Sequence, residues 1–133
     1  MIVVDASALT NALADDGDLG RKARSELRRD SHWAAPDHCV AEVFSAVRGQ
    51  WLGGQLTDAR ARDAVSALGS MVLDLVPARS LLVRMWQLRH NVSGYDAAYV
   101  ALAEALDCAL VTAEARLAQA STIRCPIRLA LPA

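Results

Sequence analysis

The residues Val92 to Leu106, VSGYDAAYVALAEAL, constrain this chain more than any other stretch. From Ala97 onward they spell a helix with almost no polar face, and such a helix is stable only when it is covered on nearly every side. A chain of 133 residues without a linker-like stretch can supply that cover as one domain spanning residues 1–133. The first turn of the same helix carries Asp96, which holds a carboxylate at the rim of the core. Ser93 and Asp96 have capping-box spacing, and an acid there also meets the positive end of the helix dipole. Capping and function are both open for Asp96 until the rest of the chain is read.

The remainder alternates short apolar runs with helical patterns. Ile2-Val3-Val4 reads as a buried strand closed by Asp5, and a helix follows over Ala6–Ala14. Asp15 to Asp18 form a turn. In the next helix Leu19, Ala23 and Leu27 share one face, while Arg21, Arg24 and Arg28 form a stripe that would suit phosphate or simply face solvent. His32 to Ala35 form a second strand, stopped by Pro36. In the third helix Val40, Val43, Phe44, Val47 and Trp51 make the apolar stripe, with Glu42 on the other side beside His38. Gly53-Gly54 ends that helix and Thr57 caps the next. Met71–Val76 reads as a strand before Pro77, and a fifth helix presents Leu81, Leu82, Met85 and Leu88. Ala109–Thr112 and Ile127–Leu131 complete the strands. Such alternation implies an α/β fold, a parallel sheet covered on both faces with right-handed connections.

In an open parallel sheet, ligands bind beyond the carboxyl ends of the strands. Asp5 ends the first strand and Glu114 lies just past Thr112, so both belong on that edge. Asp96 starts there too if its helix runs antiparallel to the strand it feeds, and Glu42 is free to face the same cleft. Gathered carboxylates repel and take up protons unless a cation neutralises them. Oxygen ligands alone suit Mg²⁺ or Mn²⁺ rather than zinc. His32, His38 and His90 have no metal-ligand spacing and read as structural. Ser7 and Thr112 lie beside the site without an activating histidine, which suits supporting hydrogen bonds rather than covalent catalysis. Phosphodiester hydrolysis is the reaction class such a cage serves.

Charge and composition exclude other classes. The net charge of -1 gives no general attraction to nucleic acid, so any contact must be local. Apolar runs are interrupted by Glu104 and Asp107, well short of a membrane span, and the first residues resemble no secretory leader. Cys39, Cys108 and Cys125 suggest neither a disulfide framework nor a zinc site, which fits a reducing cytoplasm.

The motifs Val3-Val4-Asp5-Ala6-Ser7, Ala41-Glu42-Val43, Tyr95-Asp96-Ala97-Ala98-Tyr99 and Leu110-Val111-Thr112-Ala113-Glu114 together resemble the PIN-domain ribonucleases. The chain's length resembles the VapC toxins of toxin-antitoxin pairs. The resemblance implies a PIN-like three-layer sandwich, its central and mainly parallel β-sheet flanked by helices. It implies an Mg²⁺- or Mn²⁺-dependent endoribonuclease acting on structured RNA such as tRNA or ribosomal RNA. It further implies inhibition by a VapB-like antitoxin, and a homodimer. Asp5, Glu42 and Asp96 match the family's acidic positions, with Asp5 and Asp96 the chief metal ligands. Glu114 stands where the family usually has Asp, and Thr112 matches the hydroxyl two residues earlier. Two rival readings are a receiver-type signalling module and a PIN-like fold that binds without cutting. A receiver is expected to carry an acidic pair after the first strand and a late lysine, whereas Asp5 stands alone and the single lysine is Lys22.

Overall fold

The computed structural model describes residues 1–133. In chain order they form β1 (Ile2–Val4), α1 (Ala6–Ala14), α2 (Asp18–Leu27), β2 (Trp33–Pro36), α3 (Cys39–Leu52), α4 (Asp58–Ser70) and β3 (Asp74–Val76). A 3₁₀ turn at Ala78–Leu81 leads into α5 (Leu82–Gln87), followed by α6 (Gly94–Ala105), β4 (Ala109–Thr112), a second 3₁₀ turn at Ala115–Gln119 and β5 (Ile127–Leu129). The strands make one sheet in the order β3-β2-β1-β4-β5, and every pairing is parallel.

The strand order fixes where the helices lie. From β1 the chain steps to β2 and then β3 in one direction, then crosses back over the sheet to β4. Right-handed crossovers therefore place α1 to α4 on one face and α5 and α6 on the other. The packing follows this division: α1 meets α2, α3 and α4, while α6 lies against β1, β2 and β4 with α5 beside it. Residues Ala97 to Ala103 of α6 are all buried, as a helix without a polar face requires. With β1, β2 and β4 all of them but Ala98 form the centre of one continuous core.

Several local expectations need correction. The strand expected over Met71–Val76 is confined to Asp74–Val76, because β3 is an edge strand whose register with β2 begins at Ala34 and Asp74. Met71 and Leu73 reach the core without ladder bonds, and Val72 between them is 88% exposed. Pro36 does not stop β2 but ends it as the last strand residue, where its missing N–H falls beyond the pairing with β1. The last strand ends at Leu129 rather than Leu131. In α3 the buried line is Cys39, Val43 and Val47, while Phe44, Trp51 and Leu52 stay exposed; Phe44, Val47, Trp51, Ala61 and Val65 line an apolar groove between α3 and α4. The arginines of α2 are not a free basic stripe. Arg24 donates to the carbonyls of Ala12 and Asp15 at the end of α1, and Arg21 pairs with Asp18. Gly20 is required at that junction, since a Cβ there would lie 1.8 Å from the Asp15 carbonyl oxygen.

Candidate active site

β1 and β4 are neighbours whose chains leave the sheet edge in opposite directions, which makes their carboxyl ends the topological switch point of the fold. Asp5 closes β1 at this point. Its backbone N–H donates to Val111 at 2.9 Å, and its carbonyl accepts from Leu9 at 3.0 Å to start α1. The side chain does not cap that helix. It turns toward β4, where Oδ2 accepts from Thr112 Oγ1 at 2.6 Å and from Ser7 Oγ at 2.7 Å.

The two hydroxyls are held in turn by backbone amides: Ala113 N donates to Ser7 Oγ at 3.0 Å, and Glu114 N donates to Thr112 Oγ1 at 3.0 Å. A hydroxyl has one proton to donate. Both protons are committed to the Asp5 carboxylate, so neither Ser7 nor Thr112 is an unengaged nucleophile. Asp5 is only 2% exposed. Burial pushes its pKa up to about 6, the bonds from Thr112 and Ser7 act against that rise, and the charges of Asp96 and Glu42 add to it.

Glu42 reaches the same edge from the first turn of α3. Its Oε1 accepts from the Tyr99 hydroxyl of α6 at 2.9 Å. His38 Nε2 also lies 2.9 Å from Oε1, within ion-pair distance but not aligned as a hydrogen bond. Tyr99 is fully buried, and burial, followed by its neighbours Cys39 and Glu42, holds its hydroxyl protonated well above the usual tyrosine range. Burial likewise pushes the Cys39 thiol up to about 11, so it stays a thiol rather than a nucleophile. The His38 ring packs edge-on to Tyr99 and tilted over Tyr95, each at 5.3 Å between ring centroids.

Asp96 sits at the start of α6. Ser93 is the N-cap but makes no side-chain capping bond, so the capping box does not form. Arg116 approaches Asp96 Oδ2 at 4.0 Å and Glu114 Oε2 at 3.5 Å. Glu114, 42% exposed on its side chain, is the outermost of the four acids. It faces a cleft of about 460 Å³ whose walls include Ser7, Thr10, Asn11 and Glu42. Thr10 Oγ1 is buried in this wall without a hydrogen-bond partner.

The donor chemistry fits a hard divalent cation. The donors beside the cleft are carboxylate and hydroxyl oxygens, and the most buried carboxylate, its pKa raised chiefly by burial and further by the charges of Asp96 and Glu42, is one that a cation beside it would relieve. No three His, Cys, Asp or Glu side chains converge closely enough to hold one ion together. The arrangement therefore fits an ion held through one or two carboxylates with water completing its shell, the manner Mg²⁺ favours. Tyr99 and His38 were not among the site residues expected from sequence. The signals were present: His38 precedes Glu42 by one helical turn, and Tyr99 carries the one hydroxyl in the apolar run from Ala97 to Ala103, which must find a partner.

A doubly wound parallel sheet with a buried aspartate at its switch point and further acids around it defines an α/β protein with an acidic edge site. The PIN domain family model matches residues 2–122, and the chain belongs to the PIN-domain family. It is 42% identical over 128 residues to ribonuclease VapC1 of Mycobacterium tuberculosis, covering 96% of each chain. It is 39% identical over 127 residues to ribonuclease VapC9 of the same species, again covering 96% of each. Its fold is similar to the crystal structure of M. tuberculosis VapC20, described as a sarcin-ricin loop cleaving toxin, with a TM-score of 0.67 and 16% identity over 95% of this chain and all of that one.

Proposed function

We propose that this chain is an endoribonuclease of the VapC toxin type, dependent on Mg²⁺ or Mn²⁺, that hydrolyses phosphodiester bonds in structured RNA such as tRNA or ribosomal RNA. The observation that carries the proposal is the buried Asp5 at the switch point, its carboxylate fixed by two hydroxyls and facing the charges of Glu42 and Asp96. Membership of a family whose similar members are named ribonucleases supplies the reaction. In this reading Asp5 and Asp96 hold the cation, with Glu42 and Glu114 acting partly through coordinated water.

A bound divalent cation supplies charge stabilisation at the phosphoryl group and a more acidic water. The chain's own residues do the rest. Ser7 and Thr112 fix the rotamer of Asp5, Tyr99 fixes Glu42, and the low local dielectric strengthens each charge that faces the scissile phosphate. Glu42 and Glu114, both on the cleft wall, are positioned to orient water and take up its proton.

The proposal includes a cytoplasmic protein, held as a homodimer and inhibited by a VapB-like antitoxin. No helix is long and apolar enough to cross a membrane. The exposed groove between α3 and α4, together with exposed Leu82, Val83 and Trp86, offers apolar surface for such partners. The alternative, an RNA-binding module that no longer cuts, draws on Glu114 standing where an Asp is usual.

The decisive experiment incubates purified protein with total RNA and Mg²⁺ or Mn²⁺ and maps the new ends. Asp5→Asn and Asp96→Asn are each expected to abolish cleavage with the fold intact; unchanged cleavage in both overturns the site. Glu114→Gln is expected to lower activity less than Asp5→Asn does, and Glu114→Asp to preserve or raise it. A Glu114→Gln enzyme with unchanged metal dependence and maximal rate would remove that residue from the site.

A further inference from the structure

The acidic rim stands between two hollows, each with polar side chains in its wall. On one side is the cleft walled by Thr10, Asn11, Glu42 and Glu114. On the other is a groove of about 540 Å³ lined by Asn91, Arg116, Gln119 and Ser121, from the loop before α6, the 3₁₀ turn after β4 and the residues just beyond that turn. The two meet at the rim, because Glu114 walls the first while Arg116, two residues on, walls the second and reaches back to Glu114 and Asp96. Both volumes lie in the range of small-ligand sites, ~300–1,000 Å³.

We infer that an RNA strand crosses the acids from one hollow to the other, so that the nucleotides on either side of the scissile phosphate each occupy one of them. The inference rests on the ribonuclease reading and specifies how the substrate is held. Asn11, half-buried, presents its side-chain amide on the wall of the cleft. That amide can donate to a phosphate oxygen or pair with a 2′-hydroxyl entering the cleft. In the groove, the amides of Asn91 and Gln119 and the hydroxyl of Ser121 offer both donors and acceptors, the groups that read the edges of an unpaired base. No aromatic ring lines this groove, so edge hydrogen bonding dominates there over aromatic stacking.

Arg116 is the link. Its side chain is 79% exposed, and its guanidinium shares two carboxylates at 3.5 and 4.0 Å without a close bidentate bond to either. These loose contacts leave it free to reach a phosphate beside the acids, the partner its forked donors match.

The test measures binding of a short fluorescein-labelled single-stranded RNA by anisotropy in EDTA, where nothing is cut, together with calorimetric titration of Mn²⁺ without RNA. Arg116→Gln should weaken RNA binding about tenfold at low salt and reduce the slope of log K against log salt by about 0.7, while Mn²⁺ binds as well or better. Asn11→Ala, on the cleft wall, should weaken RNA binding without lowering thermal stability. Asn91→Ala combined with Gln119→Ala should weaken it and change the base preferred beside the cleavage point. Arg62→Gln, on α4 and outside both hollows, is the control and should bind RNA as the unaltered chain does. Wild-type affinity and salt slope in all three variants, with RNA still cut by the unaltered protein, overturn the crossing path alone. Loss confined to the variants of one hollow also overturns it. RNA neither bound nor cut by the unaltered protein overturns the ribonuclease reading and the path together.

Discussion

At the scale of residues, the site is governed by how deeply Asp5 is buried. Its carboxyl titrates near 6 rather than the ordinary 3.8, so between those values the folded chain holds a proton that the unfolded chain has lost. Stability without metal therefore falls as pH rises through that window and is fully reduced above it, by about 3 kcal/mol. Asn has the same shape and can still accept from Ser7 and Thr112. Asp5→Asn in EDTA should thus be more stable than the parent above pH 6, with the difference vanishing toward pH 4. Urea denaturation of both proteins across that range checks this, and a constant difference would contradict it. Tyr99→Phe tests the other buried contact. Removing the hydroxyl that donates to Glu42 should cost about 1 kcal/mol of stability, yet it should reduce kcat several-fold and alter the pH profile, because Glu42 loses its fixed orientation.

At the scale of elements, the sheet's far side is fastened by a single acid. Glu26 of α2 is buried and accepts from Arg128 of β5 through Nε at 3.1 Å and through a terminal nitrogen at 3.0 Å, while Lys22 and Arg29 approach at 3.2 and 3.0 Å. Glu26→Gln leaves Arg128 short of its counter-charge and should destabilise the protein by about 3 kcal/mol, with cleavage unchanged at temperatures where it stays folded. A thermal melt beside an RNA cleavage assay separates the two effects. This fastening was not legible in the sequence, since residues 26 and 128 become neighbours only through the sheet order. What was legible is periodic or local: α1 and its bounds, the all-round burial of α6, Thr57 accepting from the Arg60 amide at 3.1 Å, and the end of α3 before Gly54 at φ 78°. Asp5 and Glu114 could be placed on one edge because strand ends are marked by their own residues. Tyr99 and His38 escaped because their roles are set by where α3 and α6 meet. Phe44 and Trp51 fit the helical period of α3 yet lie outside the core, since period alone does not say how wide a stripe the neighbouring helix covers.

At the scale of the whole molecule, the central strand comes from the first residues of the chain and its site partner from near the end. Asp5 and Thr112 are 107 positions apart, and Ser7 meets Ala113 across 106. A fragment ending at residue 108 lacks β4, and with it the wall that holds both Asp5 and α6. Such a fragment should neither unfold cooperatively nor bind Mn²⁺, as circular dichroism and calorimetry would register. The same separation governs the protein during its own synthesis. Domains fold as the ribosome delivers them, and contacts distant in sequence form last. The acidic site consequently does not exist in any nascent chain that has yet to release β4, and a protein proposed to cut RNA emerges from the machinery that makes it without a working edge until translation is nearly finished.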